Sequence, residues 1–297
     1  MNPYRLQQLV ESVKTDTGWV YHEMPWISAE EAPRLEQVRR GLLERLGEAL
    51  SYSFSGTKPH IGALSPGCRL CGTPDSVFHF INRPCTRKCR FCPQDRSTDR
   101  EMPPWTDGMW FENDGDFVLF LEAFGIRGVG FSGGEPLLAL DKLVSRIRAV
   151  RRSRCRDAHL WLYTNGDLLD RDSLEKLGSA GLDEIRINIS ARSYDLSPVR
   201  LARVRIPVVT VEIPALPGDA DQVKKAMVDL DALGADHLNL IQLEISRDNY
   251  RSLDLGAFHV SHRTELLPVF ESELCSLEMM LFRQERGLRL PVLSYPC

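Results

Sequence analysis

A chain of 297 residues with 43% apolar and 26% charged residues and a formal net charge of −4 is long enough and apolar enough to bury a sizeable core. This excludes disordered, collagenous and disulfide-dense classes. It also leaves no basic excess for general nucleic-acid binding, so no nucleic-acid partner is expected.

Residues 3–14 and 29–51 carry apolar residues at helical spacing, with Leu35, Val38, Leu42, Leu46 and Leu50 on one face. Residues 55–74 are rich in Gly, Pro, Ser and Thr and predict a loop. Short apolar, β-branched runs then alternate with helical patterns. Strands are expected over 77–81, 128–131, 159–163, 184–189, 208–213 and 237–241, and helices over 116–124, 137–151, 172–180 and 219–233. Residues 194–203 give no clear pattern. The alternation predicts an α/β protein with a parallel sheet and right-handed crossovers, and periodicity alone fits either a partial barrel or a doubly wound sheet. A helix over 264–285 and an extended tail to Cys297 close the chain. The expected organisation is a helical N-terminal extension with a Cys-x-x-Cys loop (1–72), a central α/β unit (73–246) and a short C-terminal extension (247–297). No run of about 18 apolar residues occurs, so no membrane span is expected. The polar first ten residues lack a signal peptide's order, which predicts a cytoplasmic protein.

In that compartment the eight cysteines read as metal ligands, reactive thiols or small buried groups. Cys85, Cys89 and Cys92 cluster directly after the first apolar strand, in a polar loop. The neighbouring cations Arg87, Lys88 and Arg90 should favour thiolates, the metal-binding form. Two sites fit. Cys68-x-x-Cys71 with Cys89-x-x-Cys92 has the spacing of a non-catalytic zinc-ribbon module, which leaves Cys85 without a role. A 4Fe–4S cluster on Cys85, Cys89 and Cys92 uses all three and leaves one iron open for chemistry. The run Gly128-x-Gly130-x-x-Gly133 matches a dinucleotide-binding pattern. Its first two glycines fall inside a strand, where they serve close packing instead.

The spacing Cys-x-x-x-Cys-x-x-Cys with Phe91 before its last cysteine, followed after the next strand by Gly133-Gly134-Glu135-Pro136, resembles the signature of the radical SAM superfamily. The resemblance implies a partial (βα)6 TIM-like barrel, S-adenosylmethionine chelated to the open iron, and reductive cleavage to a 5′-deoxyadenosyl radical. In parallel barrels, chemistry gathers at the C-terminal strand ends. The resemblance accordingly implies that Gly133 and Gly134 admit the methionine end of the cofactor and that Glu135 takes its α-amino group. It places Asn165, Asn188 and Ser190 at ribose and carboxylate, Phe91 near adenine, and Glu212 also against the cofactor. Gln242 and Glu244, further along the strand ends, are candidates for holding substrate.

Cys68 and Cys71, flanked by glycines, form a metal half-site that Cys297 could complete around an auxiliary iron or zinc. The run 66–71 and the later runs 211–218 and 239–246 are similar to a branch of archaeal radical SAM proteins. That branch is related to pyruvate formate-lyase activating enzyme and to the methanogenesis marker arginine C-methyltransferase. It implies hydrogen abstraction from a peptide or protein side chain, with a small-molecule substrate as the alternative and a flavodoxin- or ferredoxin-type electron donor as partner. Cobalamin-assisted C-methylation stands third among the alternatives, and the short stretch of chain after the barrel counts against it.

Overall fold

The computed structural model describes residues 3–18, 20–94, 102–261 and 267–295. The chain begins with α1 (Pro3–Asp16) and α2 (Glu31–Leu46), continues through β1 (Ser51–Ser53) and β2 (Lys58–Ile61), and reaches the short helix α3 (Pro66–Cys71). The expected loop over 55–74 is therefore corrected. Pro66 sits in the first turn of α3, where a missing N–H costs nothing, and the Ser65 hydroxyl caps the helix by accepting from Cys68 N at 3.1 Å. The residues that read as breakers start a helix.

Strand β3 (Ser76–Phe80) leads to a hairpin of β4 (Trp105–Thr106) and β5 (Met109–Trp110). Then come α4 (Asp114–Phe124), β6 (Gly128–Ser132), α5 (Leu140–Arg151), β7 (His159–Thr164) and α6 (Arg171–Ala180). They are followed by β8 (Glu184–Ile187), α7 (Ser197–Ala202), β9 (Val208–Pro214), α8 (Ala220–Leu233) and β10 (His237–Ile241). The unclear stretch 194–203 holds α7. A ribbon of β11 (Glu244–Ile245) and β12 (Leu267–Pro268), the helix α9 (Phe270–Glu285) and β13 (Val292–Tyr295) complete the described chain.

The main sheet runs β1-β2-β13-β10-β9-β8-β7-β6-β3-β4-β5. Strands β3, β6, β7, β8, β9, β10 and β13 are all parallel along that order. The six expected strands are present, and the sheet continues past both ends of the expected 73–246 unit. Strand β13 adds a parallel strand beside β10, and β2 pairs antiparallel with β13. Long-range pairing of this kind leaves no local signal in the sequence. Gly128 and Gly130 lie inside β6 beneath Trp161, and a Cβ at Gly130 would come within 2.7 Å of the indole.

Helices cover the outer face, where Phe117, Leu143, Ile147, Leu177 and Met227 are wholly buried. Each such side chain contributes roughly 1.5–3 kcal/mol of transfer free energy. A smaller apolar cluster joins Val13, Val20 and Met24 from the N-terminal segment to Leu243, Val260, Leu267 and Val269, and Phe91 packs against it. Among the described residues no helix is long and apolar enough to cross a membrane.

Candidate active site

The C-terminal ends of the parallel strands enclose a cavity of about 270 Å³. Cys85, Cys89 and Cys92 from the loop after β3 line one wall. Gly133, Gly134, Asn165 and Asn188 line the next, and Gln242, Leu243 and Glu244 after β10 line the opposite one. Groups that follow the first and the sixth strand of the parallel set thus share one cavity, so the sheet curls as a partial barrel.

The glycines show why the walls fit together. A Cβ at Gly134 would stand 2.1 Å from the Arg83 carbonyl oxygen and 2.2 Å from that of Pro84, both backbone atoms leading into the cysteine loop. Gly133 has φ +148°, and a Cβ there would meet Asn82 Oδ1 at 2.5 Å. Gly134 N donates to Asn82 O, and Glu135 N donates to Pro84 O at 2.8 Å. Backbone is laid on backbone, and only glycine permits the approach.

Glu135 is placed differently from the role the resemblance implies. It is wholly buried and does not line the cavity. Its Oε1 accepts from Leu137 N and Thr164 Oγ1, and its Oε2 from Asn165 N at 2.8 Å. The carboxylate brackets the end of β7 to the turn after β6 rather than reaching a ligand's amino group. Burial raises its pKa, while the three donors oppose that shift.

The cations beside the cysteines are also engaged elsewhere. Arg87 is paired with Asp167 at 2.5 Å, and Arg90 with Asp219 at 3.1 Å. Arg87, joined by Thr86 and Arg192, holds Asp167 down at about 2. The Cys85 thiol is pushed up by burial, against a 3.5 Å bond from Arg87 N. At Cys85 the expectation that neighbouring cations create the thiolate is corrected; a bound metal would have to supply that effect there.

The remaining predicted residues divide. Asn165 donates to Thr86 Oγ1 at 2.8 Å and to Cys85 Sγ at 3.7 Å. Asn188 lines the cavity, with its Oδ1 accepting from Ser190 Oγ at 2.6 Å and from Ala191 N. Ser190 is not in the cavity wall; it lines an outer groove with Lys88 and Arg90. Glu212 lies on the cavity floor, its Oε2 accepting from Arg186 at 3.0 Å and from Asn239 at 2.7 Å. Gln242 donates to Val269 O at 3.0 Å.

Arg186 was not singled out from the sequence. Its side chain is 1% exposed, reaches Glu184, Glu212 and Tyr163, and closes the cavity from below. The alternation Glu184-Ile185-Arg186-Ile187 is the signal: one face of β8 is apolar, and the other is a charged lumen.

Cys68 and Cys71 lie beneath this floor and do not line the cavity. Cys68 Sγ accepts from Asn239 at 3.1 Å, and Cys71 Sγ is 2.9 Å from the Tyr295 hydroxyl. Cys297 lies outside the described residues. Among those residues no three His, Cys, Asp or Glu side chains converge to hold a single ion. The zinc ribbon built from both cysteine pairs is therefore corrected: one pair faces the cavity, and the other faces β10 and β13.

The three thiols suit an iron–sulfur cluster, since soft sulfur donors from one short loop border an open cavity beside a glycine cradle. Residues 80–200 match the family model of the radical SAM superfamily. That segment carries a radical SAM domain. A radical SAM domain implies a 4Fe–4S cluster and S-adenosylmethionine, the chemistry of enzymes rather than of a zinc-ribbon module. A Methanocaldococcus jannaschii protein named as a candidate glycyl-radical enzyme activating enzyme is 27% identical over 205 residues, covering 66% of this chain and 54% of its own. A Chlorobaculum tepidum GTP 3′,8-cyclase is 28% identical over 121 residues, covering 41% of this chain and 34% of its own. The chain thus spans about half or less of these relatives. Among solved structures, Streptococcus suis SuiB bound to S-adenosylmethionine shares the radical SAM fold with TM-score 0.54 at 13% identity, over 75% of this chain and 50% of that one.

Proposed function

We propose that the protein uses S-adenosylmethionine and a 4Fe–4S cluster on Cys85, Cys89 and Cys92 to abstract a hydrogen atom from a peptide or protein side chain. The observation that carries this reading is the shared cavity, with the cysteine loop on one wall and Gln242 and Glu244 on the facing wall. When bound, the cluster and cofactor supply a one-electron reductive cleavage that yields methionine and a 5′-deoxyadenosyl radical. The chain's residues hold and shield that chemistry. The Gly133–Gly134 cradle admits the cofactor's methionine end, and Asn165 and Asn188 offer amide groups beside it. Arg186 and Tyr163 seal the floor against water, and Gln242 with Glu244 orients the substrate. A flavodoxin- or ferredoxin-type donor in the cytoplasm would supply the electron.

A protein substrate is favoured by the relative named as a glycyl-radical enzyme activating enzyme. The similarity to GTP 3′,8-cyclases supports a small-molecule substrate as the second reading. Cys68 and Cys71, with Cys297, would hold an auxiliary iron or zinc; the closeness of Tyr295, two residues before Cys297, to Cys71 supports this.

The test uses protein purified without oxygen, with the Cys85/Cys89/Cys92→Ala variant beside it. Iron and sulfide are assayed, then 5′-deoxyadenosine after adding reductant and S-adenosylmethionine. Iron, sulfide and 5′-deoxyadenosine present in the wild type and lost in the variant support the reading; a wild type without them ends it. A deuterated cell extract, split by size, then locates the substrate. Deuterium entering 5′-deoxyadenosine from the retained macromolecules supports a protein substrate, and from the filtrate alone a small molecule.

A further inference from the structure

Asn249 lies in the turn after β11 and is 2% exposed. Its position beyond the last predicted strand gave it no place in the sequence-based site. Its side-chain amide uses both donors and its acceptor. Nδ2 donates to the Phe91 carbonyl at 3.1 Å and to the Glu244 carbonyl at 2.8 Å, while Oδ1 accepts from Ser246 N at 2.8 Å. Phe91 lies between Cys89 and Cys92 on the cysteine wall, and Glu244 is on the wall that faces it. One buried amide therefore spans the two walls.

The surroundings make this bridge effective. Phe91 and Tyr250 pack against the apolar cluster that contains Leu243, Ile245 and Val260. Partly buried carbonyls there gain from a donor, and an amide leaves no rotational freedom once its three groups are paired. The cysteine loop is also tied through Arg87 to Asp167, Arg90 to Asp219, Thr86 to Asn165 and Gln94 to Gly133 O, and none of these reaches the Glu244 strand end.

We propose that Asn249 is a positioning residue: it fixes the cysteine loop against the Glu244 wall and so sets the spacing between the radical source and the substrate. This rests on the function proposed above. The role is mechanical, so it can be read on the loop itself as well as on turnover.

The test compares wild type with Asn249→Asp and Asn249→Ala. Asp keeps the size and the acceptor for Ser246 N but removes both donors. Hydrogen exchange of residues 85–94 is measured on cluster-free protein. Iron content, thermal midpoint, the electron paramagnetic resonance spectrum of the reduced, S-adenosylmethionine-loaded protein and the 5′-deoxyadenosine rate follow. The expected result is normal iron and a midpoint lowered by only a few degrees in Asn249→Asp, faster exchange at 85–94, an altered spectrum, and cleavage slower by about tenfold, the factor for losing hydrogen bonds of ordinary strength. Wild-type exchange, spectrum and rate in both variants would overturn the proposal. So would global unfolding of both, which would make Asn249 a structural residue only. A wild type that never cleaves S-adenosylmethionine ends the functional reading instead, and the exchange measurement still judges the clamp.

Discussion

The side-chain amide of Asn165, at the end of β7, donates to the sulfur of Cys85 at 3.7 Å. Its second contact, to Thr86 Oγ1 at 2.8 Å, fixes that geometry, and its backbone N–H is held by Glu135. A donor aimed at a ligand sulfur stabilises the more negative, reduced state of a cluster.

Asn165→Leu removes this donor and leaves the Glu135 bracket, which uses the backbone. The reduction potential is expected to fall by about 30 mV, the equivalent of a weak hydrogen bond in a one-electron couple. A redox titration followed by electron paramagnetic resonance measures it. An unchanged potential would show that the 3.7 Å contact carries no influence.

Gly134→Ala drives a methyl group into two backbone carbonyls, at 2.1 and 2.2 Å. Neither can swing aside as a flexible side chain would. The expected cost is about 3 kcal/mol with loss of the cavity wall. It would appear as a lowered urea midpoint together with poor iron retention. A variant of normal stability and normal iron content would contradict this packing.

The sequence made part of this site legible because the chemistry fixes residue types at neighbouring positions. Three cysteines in one loop and the paired Gly133–Gly134 can be read without knowing what lies opposite. The contacts of Glu135 with Thr164 and Asn165 were not legible, because those residues stand about thirty positions away on the next strand end. Arg186 and Asn249 were missed because the partners that tie them to the cavity, Tyr163 and Glu212 for Arg186 and Phe91 for Asn249, come from distant parts of the chain. The strand pattern was local and correct for β3, β6, β7, β8, β9 and β10, whereas β13 joins the sheet only through pairing with β10.

Arg186 and Glu184 form a buried ion pair at 2.8 Å, with side chains 1% and 0% exposed. Burial alone would raise the Glu184 pKa, but the Arg186 charge, His159 and Gly67 N hold it far below the usual carboxylate range. A group depressed in the folded state stabilises the fold above its unfolded pKa of about 4.3, and that stability is lost as pH falls toward the depressed value. Glu184→Gln is expected to cost about 3–5 kcal/mol at neutral pH, because Arg186 stays buried with one carboxylate fewer. The variant's urea midpoint should also fall less steeply below pH ~4 than the wild type's. Parallel acid profiles would show that Glu184 does not titrate with unfolding.

Cys68 and Cys71 sit under the same floor in unlike environments. Cys68 is 1% exposed, and burial raises its thiol pKa, whereas Cys71 is partly exposed beside the Tyr295 hydroxyl. With metal stripped, Cys71 should alkylate first and Cys68 only on unfolding, since the thiolate is the reactive form and needs access. An auxiliary iron or zinc would draw both sulfurs off Asn239 and Tyr295 and protect both thiols until a chelator is added. The Cys68→Ala, Cys71→Ala double variant is then expected to lose one metal equivalent while keeping the iron and sulfide held by Cys85, Cys89 and Cys92. Equal metal content in the double variant and the wild type would leave the pair as a plain dithiol, with Cys71 open to reagents whether or not the protein is loaded.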